Sequence, residues 1–258
     1  MINNNPIGLF DSGIGGTSIW NAINKLLPNE STIYLADSKN APYGQKTKEE
    51  IIALSSKNVE FLLNKNCKTI VVACNTATTN AIKELREKYD VPFIGIEPAI
   101  KPAALNSKTH TIGILATKGT LNSDLFHKTL DKYQDIKIIE QVGYNLVQLI
   151  ENGQINSQEM NELLHQYLQP MIKANIDYLV LGCSHYPYLI PQIEKILPPS
   201  IHIIDSGEAV ARQTKNILEQ KAGFNHSNIV YNDFYTNSDS KVLAEVLNHR
   251  FNVIEMDF

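Results

Sequence analysis

The chain has 258 residues, 43% hydrophobic and 19% charged, the make-up of a globular protein able to bury a core in one large domain or two smaller ones. Twenty-three Lys and Arg against 27 Asp and Glu give a net charge of −4 with no basic run, which argues against nucleic acid as the main partner. No stretch reaches the roughly 18 apolar residues of a membrane span, the N-terminus lacks the basic start and apolar core of an export signal, and three cysteines make a poor disulfide framework. The expectation is a cytoplasmic protein with no membrane association and with free thiols.

Ile7-Gly8-Leu9-Phe10 reads as a first strand, followed by the glycine-rich Asp11-Ser12-Gly13-Ile14-Gly15-Gly16-Thr17 and a helix that stops at Pro28. Gly13-x-Gly15 invites comparison with a dinucleotide fingerprint, but Ser18 stands where the third glycine belongs, so nucleotide binding is disfavoured. Thr32 to Ala36 is a second strand ending at Asp37, and Ala41-Pro42-Tyr43-Gly44 is a turn sequence that by itself suits the surface. Thr47-Lys48-Glu49-Glu50 matches a capping box and opens a helix with a broad apolar face. Cys67 follows this helix with no polar neighbour and reads as structural.

Ile70-Val71-Val72-Ala73 is a short apolar run of the kind buried on both faces of a parallel sheet, and Cys74 stands at its C-terminal end. Asn75 and Thr76 begin a helix on which Ala77, Ala81, Ile82 and Leu85 share a face. A cysteine at such a junction meets unpaired N–H groups and a positive helix end, which favour thiolate and can hold a carboxylate or phosphate. Val91 to Ile96 is a further strand, ending at Glu97.

The order then restarts. Thr111 to Thr120 echoes the opening strand and loop, Ile136 to Glu140 reads as a strand, Leu146 to Ile150 as a short helix leading to Glu151-Asn152-Gly153, and Asn156 to Asn175 as a long helix. Ile176 to Gly182 repeats the cysteine strand and ends in Cys183-Ser184-His185-Tyr186-Pro187, while Ile201 to Ile204 ends in Asp205-Ser206-Gly207. The offsets 112 − 7 = 105, 183 − 74 = 109 and 205 − 97 = 108 are nearly constant, which argues for two similar halves. The tail, with a helix after Gly207, a strand over Ile229 to Tyr235, a helix over Lys241 to His249 and a strand over Asn252 to Met256, is expected to return to the first half. The fold class is therefore α/β, with two pseudo-symmetric domains, each a mainly parallel sheet flanked by helices. The expected domains are 1–97 plus 207–258 and 98–206, with the active site in the cleft between them.

Ligands of parallel sheets bind beyond the carboxyl ends of the strands, where both Cys74 and Cys183 stand. Two opposed thiols suit inversion at carbon: one removes a proton from one face while the other delivers a proton to the opposite face. Asp11 and His185 could accept or relay a proton, and Ser12, Asn75, Thr76 and Ser184 could bind carboxylates. Three other readings stay open at this point. Cys183 with His185 could serve a thiol hydrolase, Cys74, Cys183 and His185 could hold zinc although they lack C-x-x-C spacing, and paired α/β units could form a non-catalytic carboxylate clamp.

The motifs Phe10-Asp11-Ser12-Gly13-Ile14-Gly15-Gly16, Ala36-Asp37 leading to Pro42-Tyr43-Gly44, Ala73-Cys74-Asn75-Thr76-Ala77-Thr78, Leu181-Gly182-Cys183-Ser184-His185-Tyr186-Pro187 and Ile204-Asp205-Ser206-Gly207 resemble those of the glutamate racemases, in the cofactor-independent aspartate/glutamate racemase superfamily. The resemblance implies interconversion of L- and D-glutamate for peptidoglycan synthesis without cofactor or metal, and leaves a homodimer open. It implies Cys74 and Cys183 as the proton-transfer pair, Cys74 serving the D and Cys183 the L enantiomer, assisted by Asp11, His185 and Glu151. By the same resemblance, Asp11, Ser12, Pro42, Tyr43, Gly44, Asn75, Thr76, Ser184 and His185 fall at substrate-binding positions. Two departures stand out: Ser184 replaces the usual threonine, and Gly143-Tyr144-Asn145-Leu146 does not match the common Cys-Pro approach to the glutamate.

Overall fold

A computed structural model describes residues 2–258. The first part of the chain runs β1 (Ile7–Asp11), α1 (Thr17–Leu26), β2 (Thr32–Ala36), α2 (Lys48–Asn64), β3 (Thr69–Val72), α3 (Asn75–Lys88) and β4 (Phe93–Gly95). It continues through α4 (Ile100–Asn106), β5 (Thr111–Ala116), α5 (Lys118–Leu121), α6 (Asp124–Leu130), β6 (Lys137–Val142), α7 (Leu146–Glu151), α8 (Gln158–Lys173), β7 (Tyr178–Gly182), α9 (Ile190–Ile196) and β8 (His202–Ile204). The tail adds α10 (Gly207–Ile217), β9 (Asn232–Thr236), α11 (Ser240–Val246) and β10 (Val253–Glu255).

The strands form two wholly parallel sheets, ordered β10-β9-β2-β1-β3-β4 and β6-β5-β7-β8. Within them β2-β1-β3-β4 and β6-β5-β7-β8 have the same order, so the sequence offsets correspond to a repeated topology. Both tail strands join the first sheet, with Thr32 to Ala36 in register with Asn232 to Thr236. This is the mainly parallel α/β architecture expected from the sequence.

The strands are apolar throughout because both faces are covered. Leu9, Tyr34 and Val71 pack on one side with Ile19, Trp20 and Ile23 of α1, whereas Phe10, Leu35 and Val72 pack on the other with Val59 and Leu62 of α2 and Ala81 and Leu85 of α3. The second sheet alternates in the same way: Leu179 and Leu181 face Leu164, Leu168 and Met171 of α8, while Val180 and Ile114 face Ile100 and Ala103 of α4.

Helix ends follow local chemistry. Thr47 and Glu50 form the reciprocal capping box that starts α2. Ser157 caps α8, which therefore starts two residues later than the apolar pattern suggests. At the other end of that helix Asn175 takes φ 59°, a left-handed stop, and α11 ends before Asn248 and His249 for the same reason, both with φ 53°. Ile229 and Val230 are exposed ahead of β9 instead of lying within it. Among the described residues, no helix is long and apolar enough to cross a membrane.

Candidate active site

β3 delivers Cys74 to the start of α3, where it is the N-cap residue: the Ala77 N–H donates to its Sγ at 3.4 Å. β7 delivers Cys183 to the equivalent place in the second sheet. The two thiols border one small cavity together with Ser12, Pro42, Tyr43, Gly44, Asn75, Thr76, Ser184 and His185. The space left between these groups is about 10 Å³, room for about one water. Every sequence-expected residue except Asp11 and Glu151 thus lines that cavity, and those two touch it through its lining.

Asp11, at the end of β1, is fully buried. Its Oδ2 accepts the Gly16 N–H at 2.8 Å and its Oδ1 accepts the Ser184 hydroxyl at 3.1 Å, so it joins the first sheet to the loop after β7. Burial raises its carboxyl above the usual carboxylate range, and the neighbouring His185 only partly offsets this. Cys74 is pushed well up by burial and by the Asp11 charge, against the hydrogen bonds from Ala77 and with Ser12 Oγ, 3.6 Å from Sγ. For His185, burial pulls the imidazole down, but hydrogen bonds to Cys183 and Glu151 and the Asp11 charge outweigh it and hold the ring well above its ordinary value. Its Nδ1 lies 3.8 Å from Cys183 Sγ and its Nε2 lies 2.5 Å from Glu151 Oε1.

Asn75 is 2% exposed, and both its amide nitrogen and its amide oxygen lack a protein partner. A buried amide in that condition costs about 1–3 kcal/mol unless something polar meets it, so it marks the place where a ligand's polar groups belong. Tyr43 is placed differently from what its turn sequence suggests. Instead of a surface turn it is a buried residue whose hydroxyl donates to Asp37 and accepts from Asn58 Nδ2 at 3.1 Å, so that the phenol braces the wall. Thr76 shares hydrogen bonds with Thr117, at 2.8 Å, and with Thr120 across the two halves.

Sequence reasoning missed Thr117 and Val147, both of which line the cavity. Thr117 lies in the segment that echoes the Asp11 loop, and that echo was the available clue; Val147 sits on a six-residue helix and carries no chemical mark. Glu151, at the C-terminal end of α7, is turned inward and bonded to His185. Cys67 is buried away from these groups, and burial alone raises its thiol to about 12.

Compared with known proteins, residues 7–214 match the family described as Asp/Glu/hydantoin racemase. A glutamate racemase of Ralstonia pickettii is 50% identical over 214 residues, 83% of this chain and 76% of the relative. One of Pseudomonas putida is 41% identical over 244 residues, 94% of this chain and 92% of the relative. Among solved structures, a glutamate racemase isoform from Bacillus anthracis superposes with a TM-score of 0.88 at 32% identity, covering 98% of this chain and 97% of that one. Escherichia coli glutamate racemase, solved with L-glutamate and an activator, gives 0.87 at 32% identity and 97% coverage of both chains. The chain belongs to the Asp/Glu/hydantoin racemase family.

Proposed function

We propose that this chain interconverts L- and D-glutamate in the cytoplasm and supplies D-glutamate for peptidoglycan. The observation that carries this reading is the pair of thiols, Cys74 and Cys183, brought by equivalent strands of two like-ordered sheets to one cavity. The names of the relatives, glutamate racemases at 40–50% identity, support the substrate.

Cys183 takes the α-proton of L-glutamate while Cys74 gives a proton to the opposite face; D-glutamate runs the same path backwards. Burial and Asp11 favour the neutral thiol at Cys74, and a substrate ammonium arriving beside them shifts that balance toward thiolate by supplying opposite charge. His185, held by Glu151, exchanges protons with Cys183, and Asp11 does so on the other side. Asn75, whose amide lacks protein partners, meets the substrate's polar groups. Ser12, Pro42, Tyr43, Gly44, Thr76, Ser184 and His185 complete the binding wall. The functional units are residues 1–97 with 207–258, and 98–206, and the reaction uses no cofactor or metal. A homodimer is the assembly to test, by sedimentation of the purified chain.

Incubating the dialysed protein with L-glutamate or L-aspartate and resolving the enantiomers tests the reading directly. Accumulation of D-glutamate without additions, to an equal mixture, is expected; no isomerisation, or isomerisation only after metal or pyridoxal phosphate is added, refutes it. The thiol roles are tested by chloride release from β-chlorinated glutamate: Cys74→Ser retains it with the L analogue and Cys183→Ser with the D analogue.

A further inference from the structure

Glu151 closes α7, in the second half of the chain, yet much of its bonding is to the first half. Its Oε1 accepts the Ile14 N–H at 2.7 Å and lies 2.5 Å from His185 Nε2. Its Oε2 accepts the hydroxyl of Ser38, from the turn after β2, at 2.8 Å. Gly13 makes room for this arrangement, since a Cβ there would stand 1.9 Å from Glu151 Oε1. Each carboxylate oxygen is therefore engaged, and the direction in which Glu151 presents itself to His185 is set from across the cleft.

This clasp bonds directly to only one thiol; its approach to the other side is His185 Nδ1, 3.9 Å from Asp11 Oδ2 and beyond hydrogen-bond distance. Cys183 joins it through His185 Nδ1 at 3.8 Å. The hydrogen bonds of Cys74 Sγ are to Ser12 and Ala77, both in the first half.

We propose that Ser38 is a positioning residue for one face of the reaction: it anchors Glu151, which holds His185 in line with Cys183, and it has no part in the proton transfers of Cys74. The proposal rests on the racemase reading above. Without the Ser38 hydroxyl, Oε2 loses its donor, and the carboxylate is free to turn toward the surface cavity of about 510 Å³ that it borders. The imidazole then loses the fixed partner on Nε2 that keeps Nδ1 facing the Cys183 sulfur.

Elimination from 3-chloroglutamate separates the faces because it needs one base. A thiolate takes the α-proton, the C–H electron pair forms the Cα=Cβ bond, and chloride leaves with the C–Cl pair. The enamine tautomerises and is hydrolysed by water to 2-oxoglutarate and ammonium. Chloride release is measured for the analogues of L and D configuration at the α carbon, with the unmodified chain, Ser38→Ala and Ser38→Thr. Loss of a hydrogen bond to a charged group predicts about tenfold slower release from the L analogue by Ser38→Ala, with the D rate unchanged. Ser38→Thr, which keeps the hydroxyl, restores the L rate. The D analogue also controls for folding, since a variant damaged overall slows on both. Equal slowing of both enantiomers, or no slowing of either, overturns the proposal while leaving racemisation of glutamate by the unmodified chain intact. Failure of the unmodified chain to racemise glutamate refutes the underlying reading, and this proposal with it.

Discussion

Replacing Gly15 with alanine tests whether the two halves meet in catalysis as they do here. Among the described residues, the glycines with positive φ are Gly153 and Gly223, so the Gly15 backbone accepts an L side chain and only space is at issue. A Cβ at Gly15 would stand 2.2 Å from His185 Nδ1 and 2.4 Å from its Cγ. Ordinary contact begins near 3.4 Å, so the ring or the loop must yield by 3.4 − 2.2 = 1.2 Å. The imidazole has nowhere to retreat, being 1% exposed and held at Nε2 by Glu151. A displacement of about 1 Å at a reacting group costs on the order of 100-fold, or about 2.7 kcal/mol of transition-state stabilisation. The assay is kcat/KM for L-glutamate with chiral detection, beside a thermal unfolding scan. Gly8→Ala is the control: its Cβ would stand 2.9 Å from Cys67 Sγ, inside the first half, so it should lower Tm and spare kcat/KM. If Gly15→Ala keeps kcat/KM within about threefold of the parent, His185 does not sit against this loop during turnover and the reasoning fails.

Asn75→Ala should raise KM at least tenfold while leaving Tm unchanged or higher, because the amide it removes has no protein partner to lose; a large fall in Tm would mean that the amide is structural. Lys68→Met should cost about 3–5 kcal/mol in urea unfolding, since it strands Glu30, whose Oε2 lies 2.6 Å from Lys68 Nζ with both side chains buried. A cost below about 1 kcal/mol would show that solvent reaches Glu30. Asp177 is held below its ordinary carboxylate value: burial works against this, but hydrogen bonds from the Ser107 hydroxyl and the Lys108 and Thr109 N–H groups outweigh it. Its stabilising contribution is therefore present above its ordinary pKa of 3.8 and is lost as the pH falls through the lowered folded value. Accordingly, the Tm gap between the parent and Asp177→Asn should be full near neutrality and shrink in acid; a gap that widens in acid would reverse the assignment.

The parts of this molecule legible in the sequence are those specified by contiguous residues. Val71 and Val72 followed by Cys74, and Leu181 and Gly182 followed by Cys183, announce strand ends locally, and a parallel sheet places such ends together. The capping box at Thr47 is equally local. Helices α4, α5, α6 and α9 have seven residues or fewer, too short for an apolar period to emerge, whereas the equally short α7 is legible because Asn152-Gly153 marks its end. Partners across the cleft were invisible for a different reason. Nothing near Ser38 says that a carboxylate 113 residues away accepts its hydroxyl, and nothing near Thr76 says that Thr117 shares a hydrogen bond with it. The spacing that reveals a repeat also hides its asymmetry, because Cys74 and Cys183 have like positions and unlike neighbours.

That asymmetry has a thermodynamic limit. Enantiomers have equal free energy in an achiral solvent, so the equilibrium constant of the proposed reaction is one, and kcat/KM must be the same in both directions whatever surrounds each sulfur. The Ser12 and Ala77 contacts at Cys74 and the His185 contact at Cys183 cannot make the protein more efficient toward one hand of glutamate. They can only trade saturation against speed. The enantiomer whose complex suits its own thiol better will saturate at lower concentration and turn over more slowly by the same factor, so a measured ratio of KM values for the two hands reports the imbalance between the two proton sites.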